Sequence, residues 1–199
     1  MSKMFLPPGQ PLSTCTRGTC DGCDVTGKVV CHFSARKLLT FYLLAGPLLL
    51  VGGLGLVTIS WVALLAWVGL YILSFGIIGV WTTCAHCPHY AEPSLRCLRC
   101  DVLWGFPKLR APQPGPMAGW EKAAHVGCFA VFLLGPVPIL LLHGPLIGGG
   151  WTAIYLSLVA GFVLGLRRLF CARCMNFTCP FNTVDEAARA VFREHNPGT

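Results

Sequence analysis

Charged residues are scarce in this sequence and are missing altogether from two long stretches. Asp, Glu, Lys and Arg make up 12% of the 199 residues, whereas 54% are hydrophobic. No charged residue occurs in 38–91 or in 123–166, and each stretch is long enough for two membrane crossings of about 20 residues. A soluble domain of this size cannot bury so much apolar surface. The sequence therefore predicts an all-α membrane protein with four transmembrane helices.

The charged residues fall into three polar segments. Of the fifteen Lys and Arg residues, five precede residue 38, five lie in 96–122 and five follow residue 166. The positive-inside rule places all three segments in the cytoplasm, with both termini, and a prokaryotic inner membrane is expected. The net charge of +7 then reflects membrane orientation, so the lipid bilayer is an expected partner and nucleic acid is not.

Eleven of the twelve cysteines also lie in the polar segments, and only Cys128 falls inside a predicted span. Because the cytoplasm keeps thiols reduced, metal or cluster ligation is favoured over disulfides. The predicted organisation is an N-terminal cysteine-rich segment 1–37, a transmembrane hairpin 38–83, a central Cys-x-x-Cys loop 84–122, a second hairpin 123–168, and a C-terminal segment 169–199 with a cysteine cluster and a short helix.

The central loop contains two Cys-x-x-Cys pairs. They are Cys84/Cys87 and Cys97/Cys100, separated by nine residues. Each pair can hold a metal from one side, and the intervening loop brings the pairs together. The spacing predicts one tetrahedral four-thiolate site within this loop.

The C-terminal segment supplies three thiols, one fewer than a closed site needs. They are Cys171, Cys174 and Cys179. We expect the fourth ligand from elsewhere, since the ends of the four helices bring all three polar segments close together. The candidates in the central loop are His86, His89, Cys100 and Asp101, and a partner subunit is the alternative. The three polar segments are accordingly expected to form one composite domain.

The N-terminal segment contains the series Cys15-x4-Cys20-x2-Cys23-x7-Cys31. Its first three cysteines, with the glycines around them, resemble the cluster loop of plant-type 2Fe–2S ferredoxins over residues 15–29. The resemblance implies a 2Fe–2S cluster, with Cys31 in the place of the fourth ligand. A zinc loop of similar shape is the alternative, because thiolates suit both metals.

The two hairpins have matching landmarks. Gly46-Pro47 corresponds to Gly135-Pro136, and each pair is followed by a tryptophan and then by a Cys-x-x-Cys pair at a similar distance. This register predicts a parallel duplication about an axis along the membrane normal.

Three functions fit these patterns. In the first, 2Fe–2S or 4Fe–4S clusters pass electrons at the cytoplasmic face, with a redox partner subunit or a membrane quinone. In the second, structural zinc makes the protein a scaffold or assembly factor. In the third, a Cys-x-x-Cys pair exchanges disulfides. We favour the first function, because of the ferredoxin-like loop and the several thiol groups expected at one membrane face. The sequence has no phosphate-binding loop, nucleophile triad or carboxylate pair, so we expect a subunit of a larger complex rather than a stand-alone enzyme.

Overall fold

The computed structural model describes residues 9–197, so the first eight residues and the last two of the predicted terminal segments lie outside it. The fold is mostly helical. Four helical stretches are long and apolar enough to cross a membrane, as the charge-free stretches predicted. They are Ala35–Val57, Trp61–His86, Gly119–His143 and Ile147–Arg173.

The crossing stretches are built from several regular elements. In chain order the helices and strands are α1 Ala35–Val57, α2 Trp61–Tyr71, α3 Val80–Thr82, α4 Pro88–Ala91, β1 Cys97–Arg99, β2 Trp104–Pro107, α5 Gly119–Leu134, α6 Pro136–Leu140, α7 Ile147–Leu169 and α8 Glu186–His195. A π-helix, Ile72–Gly79, joins α2 to α3. The segments Cys84–His86, Leu141–His143 and Cys171–Arg173 are 3-10 turns.

The bundle core is centred on Trp67, Phe132 and Tyr155, all buried. The Trp67 indole stacks on the Phe132 ring at a centroid distance of 5.3 Å. Its Nε1 also donates a hydrogen bond to the Phe132 carbonyl, 3.0 Å away. That carbonyl lacks its helical partner because Pro136, four residues on, has no N–H. The proline break between α5 and α6 is thus compensated by a side chain from the first hairpin.

Close packing of α1 on its neighbours requires glycine at position 52. A Cβ there would stand 2.8 Å from the Tyr155 ring and 2.9 Å from the Trp67 ring. Because Gly52 has no side chain, α1 can approach both α2 and α7 closely. Small residues commonly permit such close helix packing in membrane proteins.

The outer surface of the bundle is apolar. Large hydrophobic side chains are exposed all along it, among them Leu43, Val62, Leu65, Leu142 and Leu146. A bilayer is the solvent that such a surface requires. Together with the four candidate spans, it identifies an integral membrane protein.

At one end of the bundle the three polar segments pack together, and we call residues 9–34, 83–118 and 170–197 the cysteine layer. The Val30 N–H donates to the Arg173 carbonyl at 2.8 Å, and the Asn176 amide donates to the Thr83 carbonyl at 2.7 Å. One apolar cluster contains Val29, Met175 and Phe192. The predicted association of the three segments is therefore present in the described residues.

Two local features complete this layer. Within residues 101–118, β2 pairs antiparallel with β1. Asp185 caps the final helix by accepting hydrogen bonds from the N–H groups of Ala187 and Ala188, as suits a strong N-cap residue.

Candidate metal or cluster site

A cavity of about 210 Å³ lies where the cysteine layer meets the helix ends. Side chains from the bundle, including Phe75, Phe129 and Leu166, form one side of it. Six cysteines from the central and C-terminal segments also line it: Cys84, Cys87, Cys100, Cys171, Cys174 and Cys179. We call this space the thiol cavity.

The sulfurs around the thiol cavity are close enough to interact. The Cys84 thiol lies within electrostatic range of Cys87, Cys100, Cys174 and Cys179. Burial raises the pKa of Cys174 well above its usual range, and the nearby Cys87 adds to the rise. Thiols from two segments distant in sequence therefore form one group. Cys100, one of the candidates for a fourth ligand of the C-terminal cysteines, is in this group.

Backbone N–H groups act on four of these sulfurs. The Leu103 N–H donates to the Cys100 Sγ at 3.0 Å. Burial raises the pKa of Cys87 to about 12, although the His89 N–H lowers it, and backbone N–H groups act in the same way on Cys174 and Cys179. N–H donors to sulfur are the usual outer shell of a thiolate-bound metal centre.

The Cys84–His86 and Cys171–Arg173 turns have the same local conformation. Each follows directly on a membrane-crossing helix and forms one 3-10 turn. The turns end at Cys87 and Cys174, whose φ/ψ angles are −87°/134° and −75°/130°. The two Cys-x-x-Cys pairs are therefore presented to the cavity in the same way.

Cys97 does not line the thiol cavity. It lies in β1 opposite Pro107, and its neighbour Leu98 is buried in the apolar cluster that includes Cys84 and Cys87. Successive strand residues point to opposite faces, so Cys97 faces away from that cluster. The predicted grouping of Cys97 with Cys84, Cys87 and Cys100 thus differs from the arrangement in the structure, where C-terminal thiols take its place.

The N-terminal cysteines form a second group. The Cys31 thiol lies in electrostatic range of Cys15, Cys20 and Cys23, and burial raises its pKa to about 12. Gly22 and Gly27, with φ of +64° and +80°, make the tight turns around this loop. The other three predicted N-terminal ligands therefore lie within electrostatic range of Cys31.

The two thiol groups are neighbours. Val30 forms an isolated parallel β-bridge with Cys174, and paired backbones lie about 4.8 Å apart. Cys31 directly follows Val30, so each group has a cysteine at or beside this bridge.

Within residues 9–197, no three His, Cys, Asp or Glu side chains converge closely enough to hold a single metal ion. A zinc ion would require sulfurs about 2.3 Å from one centre. The six thiols instead lie around the wall of the thiol cavity.

The two candidate histidines differ in their availability. His86 Nδ1 lies 3.1 Å from the Gly115 carbonyl and its Nε2 lies 3.1 Å from the Glu121 carboxylate. Both of its nitrogens are thus engaged. His89 lines the thiol cavity and is 5% exposed, and its buried Nδ1 has no hydrogen-bond partner in the described structure. Of the two, His89 has the free ring nitrogen.

Glu121 supports the His86 ring, a role that no sequence pattern predicted. Glu121 accepts from the Ala118 N–H at 2.9 Å and pairs with Arg110 at 3.5 Å, and its side chain is 6% exposed. This buried carboxylate fixes the Cys84–His86 turn to the start of α5. The available signal was an acidic residue two positions before the predicted second hairpin, which falls in the first turn of α5.

Comparison with known proteins finds no matching family model, no similar curated protein and no similar solved structure.

Proposed function

We propose that this protein is an integral membrane iron–sulfur protein that transfers electrons at the cytoplasmic membrane face, as a subunit of a larger redox complex. The observation that carries the proposal is the thiol cavity. Six cysteines line one space at the end of the helices, and backbone N–H groups act on four of them, with a hydrogen bond to Cys100. An iron–sulfur cluster would supply one-electron redox chemistry there.

The four sulfurs with N–H donors are our proposed ligand set: Cys87, Cys100, Cys174 and Cys179. Four thiolates complete the ligation of a 2Fe–2S or 4Fe–4S cluster. Cys84 and Cys171 flank this set in the same cavity. His89 is the available nitrogen ligand, because its Nδ1 is buried without a partner.

A cluster fits thiols that are arranged around a cavity. The sulfurs of a cluster bind different iron atoms and so stand farther apart than those around one zinc. Six cysteines that line one cavity match that arrangement.

The N-terminal group, Cys15, Cys20, Cys23 and Cys31, is the proposed second site, a 2Fe–2S cluster on the ferredoxin-like loop. The Val30–Cys174 bridge joins it to the thiol cavity. Two clusters so placed would form a short electron relay.

The orientation and the duplication belong to the same proposal. All fifteen Lys and Arg residues lie outside the charge-free stretches, which favours a cytoplasmic cysteine layer. The matching turns at Cys84 and Cys171 support two copies of one unit, each a hairpin that ends in a Cys-x-x-Cys pair. The helices then anchor the redox sites to the membrane.

Structural zinc is the second candidate. The Leu103 N–H bond to Cys100 closes a turn after a Cys-x-x-Cys pair, and zinc ribbons use such pairs as well. In that case the protein would be a scaffold or assembly factor.

Metal analysis separates the two candidates. The full chain, purified without oxygen, is assayed for iron, acid-labile sulfide and zinc, and its visible absorption and electron paramagnetic resonance spectra are recorded. We expect iron and sulfide in equal amounts and a spectrum that dithionite bleaches. Full zinc occupancy without sulfide would instead establish the scaffold, and metal-free thiols that cycle to disulfides would establish an exchange protein.

A further inference from the structure

A second cavity, also of about 210 Å³, lies between α5 and α7 next to the thiol cavity. Its lining is Phe129, Val163, Leu166, Arg167, Pro180 and Phe181. Five of these residues are apolar and Arg167 supplies a guanidinium. We call this cavity the Arg167 groove.

One layer of side chains separates the Arg167 groove from the thiols. Phe129, Leu166 and Phe181 line both cavities. The Phe181 ring lies 5.0 Å from the Phe129 ring, between centroids. On the same side, Arg167 is within electrostatic range of the Cys171 thiol. A molecule in the groove would therefore lie next to the proposed redox site.

The surroundings of the groove are lipid-facing. On α7, Leu164 and Leu169 are 55% and 53% exposed, and Val126 on α5 is 39% exposed. Arg167 follows directly on the charge-free stretch, where basic side chains reach the polar boundary of the membrane. A ligand would enter from the bilayer, with an apolar tail among the lipids and a polar head at Arg167.

We propose that the Arg167 groove binds the ring of a membrane-soluble quinone. A quinone combines a flat ring, carbonyl oxygens that only accept hydrogen bonds, and an apolar tail. Phe129 and Phe181 offer aromatic surface for the ring. Arg167 offers only donors, which suit a carbonyl oxygen. The inference rests on the proposed function, because a quinone is useful here only as an electron carrier to or from the thiol cavity.

A phospholipid is the competing occupant, since its phosphate also binds a guanidinium. It differs from a quinone in lacking a flat ring. A phospholipid should therefore depend on Arg167 but not on the aromatic wall of the groove.

The test measures binding directly. The full chain, purified without oxygen, is placed in phosphatidylcholine nanodiscs and titrated with decylubiquinone, and a photoreactive azidoquinone maps the contact by mass spectrometry. We expect saturable binding and labelling of α7 near residues 163–167 or of the Phe181 region. R167Q should weaken binding about tenfold, the value of one hydrogen bond to a charged group, whereas the matched control R168Q should not.

A second variant separates binding from folding. V163W fills the groove and should abolish quinone binding while iron and sulfide stay at wild-type levels. Three results would overturn the quinone site. They are labelling elsewhere in the chain, equal weakening of quinone binding by R167Q and R168Q, and displacement of the quinone by phosphatidylglycerol. If iron and sulfide are present but the quinone does not bind, only this inference fails, whereas their absence refutes the proposed function whatever the titration shows.

Discussion

Asn176 and Thr83 join the two Cys-x-x-Cys turns across 93 positions of sequence. The Asn176 side-chain amide donates to the Thr83 carbonyl at 2.7 Å, and the contact is buried. Thr83 directly precedes Cys84, and Asn176 follows Cys174 by two residues. This hydrogen bond holds the central and C-terminal thiols at a fixed separation.

Replacing Asn176 by Ala should destabilise the cysteine layer by about 1 kcal/mol, because the Thr83 carbonyl loses this buried bond and keeps only the longer bond from the His86 N–H, at 3.3 Å. The measurement is the thermal unfolding midpoint of the purified protein, with its iron content. Thr178→Ala is the control, since Thr178 donates to the Asn176 Oδ1 at 2.9 Å and its loss leaves the bond to Thr83 in place. Equal effects of the two substitutions would contradict a special role for the Asn176–Thr83 bond.

The two cysteines of one pair should differ in their importance. Cys100→Ser should remove the iron and sulfide of the thiol cavity, because Cys100 lines it and accepts the Leu103 N–H. The Cys97→Ser variant should keep the wild-type amounts of iron and sulfide, because Cys97 does not line the cavity. The measurement is iron and sulfide per protein after anaerobic purification.

Cys20→Ser completes this comparison, since it should remove only the cluster of the N-terminal group and leave that of the thiol cavity. Equal losses in the Cys97 and Cys100 variants would instead restore the site of four central cysteines that the spacing predicted.

Glu92 should make stability depend on pH. Its carboxylate accepts from the Ser13 N–H at 2.9 Å and from the Ser94 hydroxyl at 2.8 Å. Burial raises the pKa of Glu92, but these hydrogen bonds outweigh it, so the pKa lies below its ordinary value. A lowered folded-state pKa means that the stabilisation is fully present above the unfolded value of about 4.3 and is lost as pH falls through the folded value.

Glu92→Gln should therefore lower stability by about 1 kcal/mol at pH 7, and its difference from wild type should shrink below pH of about 4. Thermal unfolding of wild type and Glu92→Gln from pH 7 to below pH of about 4 measures this difference in stability. Any loss of stability in acid that both proteins share cancels in the difference. Asp24→Asn is the control, because Asp24 forms an exposed ion pair with Arg17. If the difference in stability between wild type and Glu92→Gln stays constant with pH, the charge of Glu92 contributes nothing to stability.

The cysteine layer should be inaccessible from outside the cell. In intact cells an impermeant maleimide should leave Cys97 unlabelled, and permeabilisation should allow labelling, as peptide mass mapping would show. Leu146→Cys is the positive control, because Leu146 is 89% exposed in the turn at the opposite end of the bundle. Rapid labelling of Cys97 in intact cells would reverse the proposed orientation.

The membrane bundle could be predicted from sequence because its signal is local. Long runs without charge have one stable environment, and the four candidate spans coincide with them. The grouping of the thiols could not be predicted in the same way. Cys100 and Cys174 line one cavity, and the Asn176–Thr83 bond joins their two segments. Such a contact leaves no periodic pattern in the sequence.

The His86 and His89 assignments illustrate the same limit. Both flank Cys87, and spacing alone cannot distinguish them. The distinction arises from Glu121, 35 residues after His86, which engages one nitrogen of that ring, and from the burial of His89 at the cavity wall.

The order in which a ribosome delivers the cavity's cysteines has a consequence for biosynthesis. Cys100 is synthesised 74 residues before Cys174, a delay of about 4–15 s at ordinary rates of translation. During that interval the early thiols are exposed and have no C-terminal partners. Insertion of the proposed cluster would therefore follow integration of the second hairpin, and the early thiols would need a reducing environment until the last two membrane crossings are in place.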